Sequence, residues 1–457
     1  MSRFPNNLFA GKRFAVLGLG RNGLPAARAL AAMGADVVAW DDNVAARVDA
    51  ADVTLRDLRT DDFAFDALVM SPGIPHTMPA PHPVVARARA WRVPILSDAE
   101  LLFRAVRQAG SRARFVGITG TNGKSTTTAL LAHILAGAGR QVAAGGNLGP
   151  ASLALRLLPD SGTYVLEMSS YMLERLATLR FDAAAMLNLS ADHLDRHGDM
   201  AGYVAAKRLI FDRQAADDLA LVGVDDADSR AMADWLRGRS ARVLTISGHQ
   251  PADVWCDKGM LHNADGTILP MKDAPALPGA HNAQNAAAAA GIAGAIGISR
   301  GEIARGMRSF PGLPHRQQRL ATIGGVAFVN DSKATNADAA ARAVGCYDRL
   351  VWIAGGIAKE GGIESLAPLF PRIARAFLIG RDAEALAATL AAHGVRHRIA
   401  GTLDAAVPLA FAAARAAGAH VVLLSPACAS FDQFSGFDVR GDRFAALVAR
   451  LARERSA

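Results

Sequence analysis

Cysteine is scarce in this chain of 457 residues, which has Cys256, Cys346 and Cys428 far apart and no C-x-x-C pair. Small secreted proteins held by disulfides and thiolate zinc sites both need paired or closely spaced cysteines. The sequence therefore argues against both classes, and we expect each cysteine to be a small buried hydrophobic residue.

Long hydrophobic runs are also missing. The most apolar stretch, residues 286–298, is short and mostly alanine and glycine, so it is not expected to span a membrane. The first residues, MSRFPNNLFAGKR, lack the apolar core of a signal peptide. We therefore expect a cytoplasmic protein without membrane insertion.

Clustered basic residues with interleaved aromatics, the pattern of a nucleic-acid surface, are absent from the sequence, so we expect no nucleic-acid partner. The overall balance is nevertheless basic, with a net charge of +8 and a pI near 9.8. A positive field raises the local concentration of anions. The charge therefore favours anionic small-molecule ligands.

The length predicts about three domains at ~150 residues each. Strands and helical stretches alternate along the chain, which is typical of parallel sheets covered by helices. The Pro/Gly cluster at 310–314 is the best interdomain linker. We predict an α/β protein with a Rossmann-like domain at 1–109, a central P-loop-type parallel-sheet domain at 110–312 and a second Rossmann-like domain at 313–457.

An apolar strand, a glycine-containing turn and a helix follow one another in FVGITGTNGKSTTT, residues 115–128. Backbone N–H groups of such a turn point inward, and the helix N-terminus adds about half a positive charge. Lys124 can reach the β- and γ-phosphates of a nucleotide, and the Ser125 hydroxyl can contact Mg²⁺. Ile118 stands where the usual pattern has glycine, so the loop is a variant. We predict that it binds a nucleoside triphosphate.

A second glycine-containing turn lies near the start of the chain. Residues 13–18 form a predicted strand that leads into GLGRNG and an alanine-rich helix, and a second strand ends before Asp41 and Asp42. This is a good match to the dinucleotide fingerprint of a Rossmann unit. A further strand ends in the SPGI turn, residues 71–74, at the edge where open α/β sheets bind ligands.

Polar residues follow several of the later strands. Glu167 ends TYVLE and His193 follows the next strand, so both can lie at the sheet edge of the phosphate loop and contact Mg²⁺, although a lone histidine is more often structural. Lys207 by itself has the pattern of a solvated helix lysine. The donors of NDSKATN, residues 330–336, suit a carboxylate-bearing substrate or a ribose; the alternative is a polar loop.

These motifs together resemble those of the Mur ligase family, and most closely its members that add glutamate to UDP-N-acetylmuramoyl-L-alanine. They occur in family order over nearly the whole chain, which makes the set more specific than any one motif. The matching positions are 120–126, 164–170, 188–195, 203–207, 281–282, 285, 313–316, 330–336 and 425–434.

The resemblance implies ATP-dependent formation of an amide bond. ATP would phosphorylate the terminal carboxylate of the UDP-sugar-peptide, and the amine of glutamate would attack the acyl phosphate. Such a transfer depends on positioning and charge neutralisation. The implied catalytic residues are Lys124, His193 and Lys207. Two Mg²⁺ ions are implied, one held by Ser125 and Glu167 and one by His193 and Lys207, which is carbamylated in this family and thus an anion.

The resemblance also assigns three binding sites. ATP would be bound by Gly120, Thr121, Asn122, Gly123, Lys124, Ser125, Thr126, Asn282, Asn285, Arg316 and Asp331. The UDP-sugar would be bound by Leu19, Gly20, Asp41, Asp42, Gly73 and Asn147. Glutamate would be bound by Lys333, Thr335, Lys359, Ser430 and Phe437.

The sequence departs from the family at two places. Family members commonly have Gly-Gly-Asp before the lysine of the third domain, whereas Ile357 follows the two glycines here, ahead of Lys359. An apolar side chain cannot make the contacts of a carboxylate. Asp41 and Asp42 also place more negative charge beside the predicted nucleotide than expected.

Other functions explain parts of the sequence. A ligase of the same family with another acceptor, such as alanine, a diamino acid, a dipeptide, folate-linked glutamate or L-glutamate, would share most motifs, but 330–336 and 425–434 favour the D-glutamate type. An NAD(P)-dependent dehydrogenase would leave Lys124 and the third domain unexplained. A non-catalytic nucleotide-binding module would not need a glutamate site. We expect the ligase, a monomer with UDP-N-acetylmuramoyl-L-alanine, glutamate and ATP as partners.

Overall fold

The computed structural model describes residues 3–147, 149–239 and 242–456, and the strands in these residues form three sheets. Leu148, in the glycine-rich segment beside Asn147, lies outside the described residues. The predicted α/β fold, with largely parallel sheets, is confirmed.

The first sheet is parallel, with strand order β2-β1-β3-β4. Its strands are β1 (Arg13–Leu17), β2 (Asp36–Trp40), β3 (Ala67–Met70) and β4 (Ile95–Leu96), and its helices are α1 (Gly23–Ala32), α2 (Val44–Val48), α3 (Pro83–Ala90) and α4 (Asp98–Gln108). Because β1 and β3 are neighbours, the turns that follow them pack together. Gly18 is required there, since it has φ +90° and a Cβ would lie 2.7 Å from Ser71.

The central sheet has strand order β13-β12-β11-β10-β9-β8-β5-β7-β6, parallel from β6 to β11 and antiparallel at β11-β12-β13. Its strands are β5 (Arg114–Thr119), β6 (Val142–Gly146), β7 (Thr163–Glu167), β8 (Ala183–Met186), β9 (Leu219–Gly223), β10 (Arg242–Ser247), β11 (Val254–Asp257), β12 (Met260–Asn263) and β13 (Gly266–Pro270). Its helices are α5 (Lys124–Gly137), α6 (Ser170–Leu173), α7 (Leu194–His197), α8 (Met200–Arg208), α9 (Ala227–Arg237), α10 (Ala280–Ala295) and α11 (Arg300–Ser309), with 3₁₀ turns at Ser152–Ala154 and Met271–Asp273.

The third sheet has strand order β14-β15-β19-β16-β17-β18, parallel except for the β14–β15 pair. Its strands are β14 (Gln318–Ile323), β15 (Val326–Asn330), β16 (Leu350–Gly355), β17 (Ile373–Ile379), β18 (His397–Gly401) and β19 (Val421–Leu424). Its helices are α12 (Ala337–Val344), α13 (Ala383–Ala392), α14 (Leu403–Ala417) and α15 (Phe437–Ser456), with a 3₁₀ helix at Glu364–Arg372.

The chain divides into two compact units. The first contains the residues up to Asp273 and Ala280–Phe310, and the second contains Ala274–Gly279 and the residues from Pro311 onward. The first unit therefore holds two of the sheets, and the second holds the remaining sheet. No helix within the described ranges combines the length and the apolar character needed to cross a bilayer.

One hydrophobic core joins the first two sheets. Leu30 of α1 and Leu102 of α4 are fully buried in the same cluster as Phe115 of β5 and Tyr164 of β7. Each such leucine contributes roughly 1.5–3 kcal/mol by its burial. The loops at the ends of these sheets are therefore held on a common packed base.

Buried polar contacts reinforce this connection. The Glu100 carboxylate in α4 accepts hydrogen bonds from the backbone N–H groups of Ala177, Thr178 and Leu179 at 2.9–3.0 Å. Burial alone would raise the pKa of Glu100, but the hydrogen bonds from Thr178 and these N–H groups lower it. The carboxylate therefore stays charged, and its hydrogen bonds attach α4 to the backbone at residues 177–179, next to the central sheet.

Candidate active site

The phosphate loop lies between β5 and α5, and it depends on glycine. Gly123 caps α5 with φ +85°. A Cβ on Gly123 would lie 2.0 Å from Oδ1 of Asn285 in α10. The missing side chain therefore lets the loop reach Asn285, a predicted ATP residue.

Asn188, which follows β8, holds the loop from the other side. Its carbonyl oxygen accepts from the N–H of Thr121, and its Oδ1 accepts from the N–H of Asn122, both at 2.9 Å. The expectation that the N–H groups of the turn point inward is therefore wrong for these two residues. The physical reason is that a neighbouring loop supplies acceptors for them, which fixes the loop shape.

Two lysines converge on one carbonyl of this loop. Nζ of Lys124 donates to the oxygens of Gly120 and Thr121, at 2.9 and 2.8 Å. Nζ of Lys207 donates to the same Gly120 oxygen at 2.9 Å. The residue at the start of α5 and the residue near the end of α8 are thus brought together at the loop.

Lys207 is buried, so its interpretation as a solvated helix lysine is wrong. Its Nζ also lies 3.3 Å from Oγ1 of Thr119 and 4.7 Å from the centre of the Tyr203 ring. Burial, followed by the charge of Lys124, lowers the pKa of Lys207 well below its ordinary value. The side chain is therefore suited to be a neutral amine.

The predicted metal ligands come from the same sheet edge. Glu167 ends β7, and its Oε1 accepts from Nδ2 of Asn147 at 3.1 Å. His193 stands at the start of α7 in the left-handed conformation, half-exposed and 3.5 Å from Asp192. Within residues 3–147, 149–239 and 242–456, no group of three or more His, Cys, Asp or Glu side chains is placed to hold a metal ion.

A cleft of about 330 Å³ brings many of these residues together. Its walls come from the turn after β3, the phosphate loop and the segments after β6, β7 and β8. They are Pro72, Gly73, Lys124, Asn147, Ser169, Ser170, Tyr171, Asp192, His193, Tyr203 and Lys207.

The other predicted ATP residues of the first unit lie nearby. Ser125 is buried in the first turn of α5, and Thr126 is partly buried beside it. In α10, Asn285 accepts a hydrogen bond from Thr127 at 3.3 Å and donates to Asn282 at 3.0 Å. The two asparagines are therefore held in fixed orientations next to the loop.

The predicted UDP residues of the first sheet make local contacts. Asp41 accepts from the N–H of Leu19 at 2.7 Å, so its charge fixes the glycine turn that contains the exposed Gly20. Asp42 contacts Nε2 of His82 at 2.9 Å, and this hydrogen bond lowers the pKa of Asp42. Arg59 also lies 3.5 Å from Asp42, so part of the negative charge at this position is already balanced within the first unit.

In the second unit, Asp331 is deeply buried after β15. Its carboxylate accepts from Ser425 at 2.7 Å and from the N–H of Gln317 at 3.1 Å. Burial raises the pKa of Asp331 to about 7, although the hydrogen bonds from Ser425 and Gln317 and the nearby charge of Arg316 act to lower it.

Some of the residues predicted to bind the substrate glutamate also lie close together in this unit. Nζ of Lys333 lies 4.2 Å from the centre of the Phe437 ring, and the carbonyl of Lys333 accepts from the N–H of Thr335 at 2.9 Å. The Ser332 hydroxyl donates to the carbonyl of Phe437 at 2.7 Å. The loop after β15 is thus fixed to the start of α15.

The Ile357 departure is accommodated by backbone contacts. Ile357 and Ala429 exchange two N–H···O bonds at 2.8 and 2.9 Å, which join the loop of the exposed Lys359 to that of the buried Ser430. Asp382, after β17, accepts from the N–H of Ala358 at 2.8 Å. The loop is therefore held without an acidic residue at position 357.

Comparison with known proteins identifies the chain. Residues 118–293 match the Mur ligase middle domain, and residues 315–428 match the Mur ligase, glutamate ligase domain. The UDP-N-acetylmuramoylalanine–D-glutamate ligase of Paramagnetospirillum magneticum is 50% identical over 96% of this chain and 97% of its own length. The chain belongs to the Mur ligase family. The similarly described protein of Caulobacter vibrioides is 49% identical over 96% of each chain.

Solved structures show the same Mur ligase fold. The alanine ligase MurC of Thermotoga maritima has a TM-score of 0.61 and 16% identity, over 97% of this chain and all of that one. The MurF ligase of Thermotoga maritima has a TM-score of 0.56 and 18% identity, over 99% and 98% of the two chains. The predicted fold class and family are thus confirmed.

Several residues of this Mur ligase were not singled out from its sequence. His197 stacks on Tyr171 with ring centres 5.5 Å apart and contacts Ser170 at 2.9 Å. Arg440 is buried and donates to Ser332 and to the carbonyl of Cys428. The Arg175 side chain reaches the turn after β3. A basic residue within a polar loop or a helix gives no sequence signal that it will be buried.

Proposed function

We propose that this Mur ligase uses ATP to join D-glutamate to UDP-N-acetylmuramoyl-L-alanine in the synthesis of peptidoglycan precursors. Relatives described by that reaction are about 50% identical over nearly the whole chain. The observation that carries the proposal is the convergence of Lys124 and Lys207 on the Gly120 carbonyl, beside a cleft that the Gly73 turn also lines.

The proposed reaction has two steps. A carboxylate oxygen of the UDP-sugar-peptide attacks the γ-phosphorus of ATP, the bond to the bridging oxygen breaks, and ADP leaves. The amine of D-glutamate then attacks the acyl carbon, loses a proton, and expels phosphate from the tetrahedral intermediate. Lys124 would neutralise charge on the transferred phosphoryl group, since it already reaches the loop oxygens.

We also propose two Mg²⁺ ions, which would neutralise phosphate charge when bound. Ser125 and Glu167 would hold one, and His193 and Lys207 the other. The buried amine of Lys207 suits carbamylation: its nitrogen adds to CO₂, a proton leaves, and the resulting carbamate supplies anionic oxygens. Such a group would give Mg²⁺ a hard anionic oxygen donor, which the unmodified amine lacks.

The binding sites and domains are proposed as the family pattern assigns them. The loop 120–126 with Asn282, Asn285, Arg316 and Asp331 would bind ATP. The UDP-sugar would be bound by Leu19, Gly20, Asp41, Asp42, Gly73 and Asn147, and glutamate by Lys333, Thr335, Lys359, Ser430 and Phe437. The corresponding domains would be 1–109, 110–312 and 313–457. We also propose that the protein acts as a monomer.

The decisive experiment measures phosphate release from ATP with Mg²⁺ and UDP-N-acetylmuramoyl-L-alanine, in parallel with D-glutamate, L-glutamate, other amino acids or none. Release that requires D-glutamate supports the proposal. Dependence on L-glutamate or another amino acid would move the chain to a different acceptor class within the family. No release with any amino acid would overturn the assigned donor substrate.

A further inference from the structure

Arg175, which lies just after α6, reaches across to the turn after β3. Its Nη1 donates to the carbonyl oxygens of Met70 and Ser71 at 3.1 and 2.9 Å. Its Nη2 donates to the carbonyl of Ile74 at 2.6 Å, and its Nε lies 3.3 Å from Nδ1 of His76. One guanidinium thus contacts most of a single turn.

The environment makes this contact energetically important. The Arg175 side chain is buried, and burial lowers its pKa to about 10, still far above neutral pH. Burial and the Arg175 charge lower the pKa of His76 to about 4, so His76 stays neutral and can accept a hydrogen bond. Removal of the guanidinium would leave three buried or partly buried carbonyl groups without these charge-assisted hydrogen bonds.

The turn that Arg175 holds forms a wall of the cleft. Pro72 and Gly73, at the middle of the turn, line the cleft together with Lys124 and Lys207. The segment between β7 and Arg175 includes residues 169–171, which also line the cleft. Arg175 therefore connects two segments that line the same cleft.

A second arginine reaches the same turn more weakly. Nη1 of Arg196 in α7 lies 3.3 Å from the carbonyl oxygen of Gly73, and its guanidinium packs 4.3 Å from the centre of the Tyr171 ring. This contact is at the exposed tip of the turn. Arg175 holds the buried base, which determines the position of the whole turn.

We propose that Arg175 is a positioning residue that fixes the 71–74 turn, and with it the bound UDP-sugar, relative to the phosphate loop. The inference rests on the proposed function, because it takes the turn as a contact of the UDP-linked donor. A misplacement of about 1 Å at such a site costs about a hundredfold in rate. The residue acts through the turn and does not itself touch the reacting atoms.

The test compares Arg175→Met and Arg175→Lys with the control Arg213→Met. Arg213 also donates to backbone carbonyls, those of Leu179 and Leu209, instead of those in the 71–74 turn. We expect Arg175→Met to raise the KM for UDP-N-acetylmuramoyl-L-alanine about tenfold or more and leave the KM for ATP within about twofold. Arg175→Lys should recover part of the loss, and Arg213→Met should match the wild type.

An unchanged donor KM in Arg175→Met, or an equal rise in the KM for ATP, would overturn the inference. If Arg175→Met does not fold, His76→Leu is the second variant, because it removes one acceptor of the Arg175 guanidinium. It should raise the KM for UDP-N-acetylmuramoyl-L-alanine by a smaller factor and leave the KM for ATP unchanged. An unchanged KM for UDP-N-acetylmuramoyl-L-alanine would overturn the inference. Calorimetric binding of UDP keeps the two proposals separate. Weaker binding of UDP by Arg175→Met than by the wild type supports the positioning role, even if wild-type turnover contradicts the proposed substrate. Equal binding of UDP by the two proteins contradicts the positioning role.

Discussion

Lys124 and Lys207 donate to the same carbonyl oxygen, that of Gly120, each at 2.9 Å. Two ammonium groups that share one acceptor repel each other, and this repulsion disfavours a charge on both. Lys124 is only partly buried, whereas Lys207 is almost fully buried. Burial, followed by the charge of Lys124, lowers the pKa of Lys207 well below its ordinary value, so we expect the two lysines to have different chemical roles.

Replacement of Lys124 by alanine should lower ATP-dependent phosphate release by about a hundredfold or more, because the transferred phosphoryl group loses the ammonium that we propose neutralises part of its charge. The thermal unfolding midpoint should stay close to that of the wild type. Lys272→Ala removes an exposed lysine of the same unit and is the matched control. Near-normal turnover of Lys124→Ala would contradict the role of the loop.

The Lys207→Ala variant should lose activity, and short carboxylic acids such as formate or acetate should restore part of it. The reason is that a small carboxylate can occupy the space of the proposed carbamate. Mass spectrometry under native conditions, with ¹³C-bicarbonate, would detect the modification directly. An unmodified lysine whose removal leaves turnover intact would refute this assignment.

Gly123→Ala should raise the KM for ATP and reduce the free energy of unfolding. The new Cβ would collide with Asn285, and the left-handed backbone adds about 1–2 kcal/mol of strain. Gly139→Ala is the control, because Gly139 has φ +73° and an added Cβ would meet nothing within 4 Å. Equal effects of the two substitutions on the KM for ATP would show that the contact with Asn285 is unimportant.

Asp331→Asn should change how stability depends on pH. Burial raises the pKa of Asp331 from 3.8 to about 7, so the native state holds a proton that the unfolded chain releases between these values. This contribution to stability is fully present below pH 3.8 and is lost as the pH rises through 7, by roughly 4 kcal/mol in total. The wild-type free energy of unfolding should therefore fall relative to that of the variant across this range.

Urea unfolding of the full chain at several pH values measures this difference. Asparagine can still accept from the N–H of Gln317 and can donate to Ser425, so the local structure should persist. Asp338→Asn changes an exposed carboxylate of the same unit and should follow the wild type. A constant difference between wild type and Asp331→Asn would show that Asp331 is ionised throughout.

Phe437→Leu should raise the KM for D-glutamate by about two- to fivefold. The substitution removes the ring beside Nζ of Lys333, and such a cation–π contact is worth about 0.5–1 kcal/mol. Phe437→Tyr keeps the ring and should behave like the wild type. An increase in the KM for ATP or for the UDP-sugar without one for D-glutamate would contradict the assignment of this residue.

Much of the fold could be predicted because short apolar runs bounded by Gly, Pro and polar residues have few alternatives to buried strands. The predicted strand at 13–18 is β1 (Arg13–Leu17), and the helix predicted after the glycine-containing turn of residues 115–128 is α5 (Lys124–Gly137). The antiparallel strands β11 to β13 were not predicted. These strands are short, and apolar and polar residues alternate only weakly along them. Their pairing is decided by contacts within the hairpins.

The candidate site was less predictable than the fold. Sequence motifs predicted roles for Lys124 and Glu167 because a phosphate loop and a strand end have local patterns, and both roles stay predictions. They did not reveal that Asn188 occupies two N–H groups of the loop, or that Arg175 reaches the 71–74 turn. Such contacts depend on which loops the strand order makes neighbours, and a single sequence does not show that order.

The Glu100 carboxylate ties α4 to the backbone at 177–179, and the shared core adds to this attachment. The covalent connection at 109–113 is therefore a mechanically minor link between the first sheet and the central sheet. A protease cut there should leave the pieces assembled. The two fragments, expressed separately, should recombine as a split enzyme, in which the residues proposed to bind the UDP-sugar come from two polypeptides.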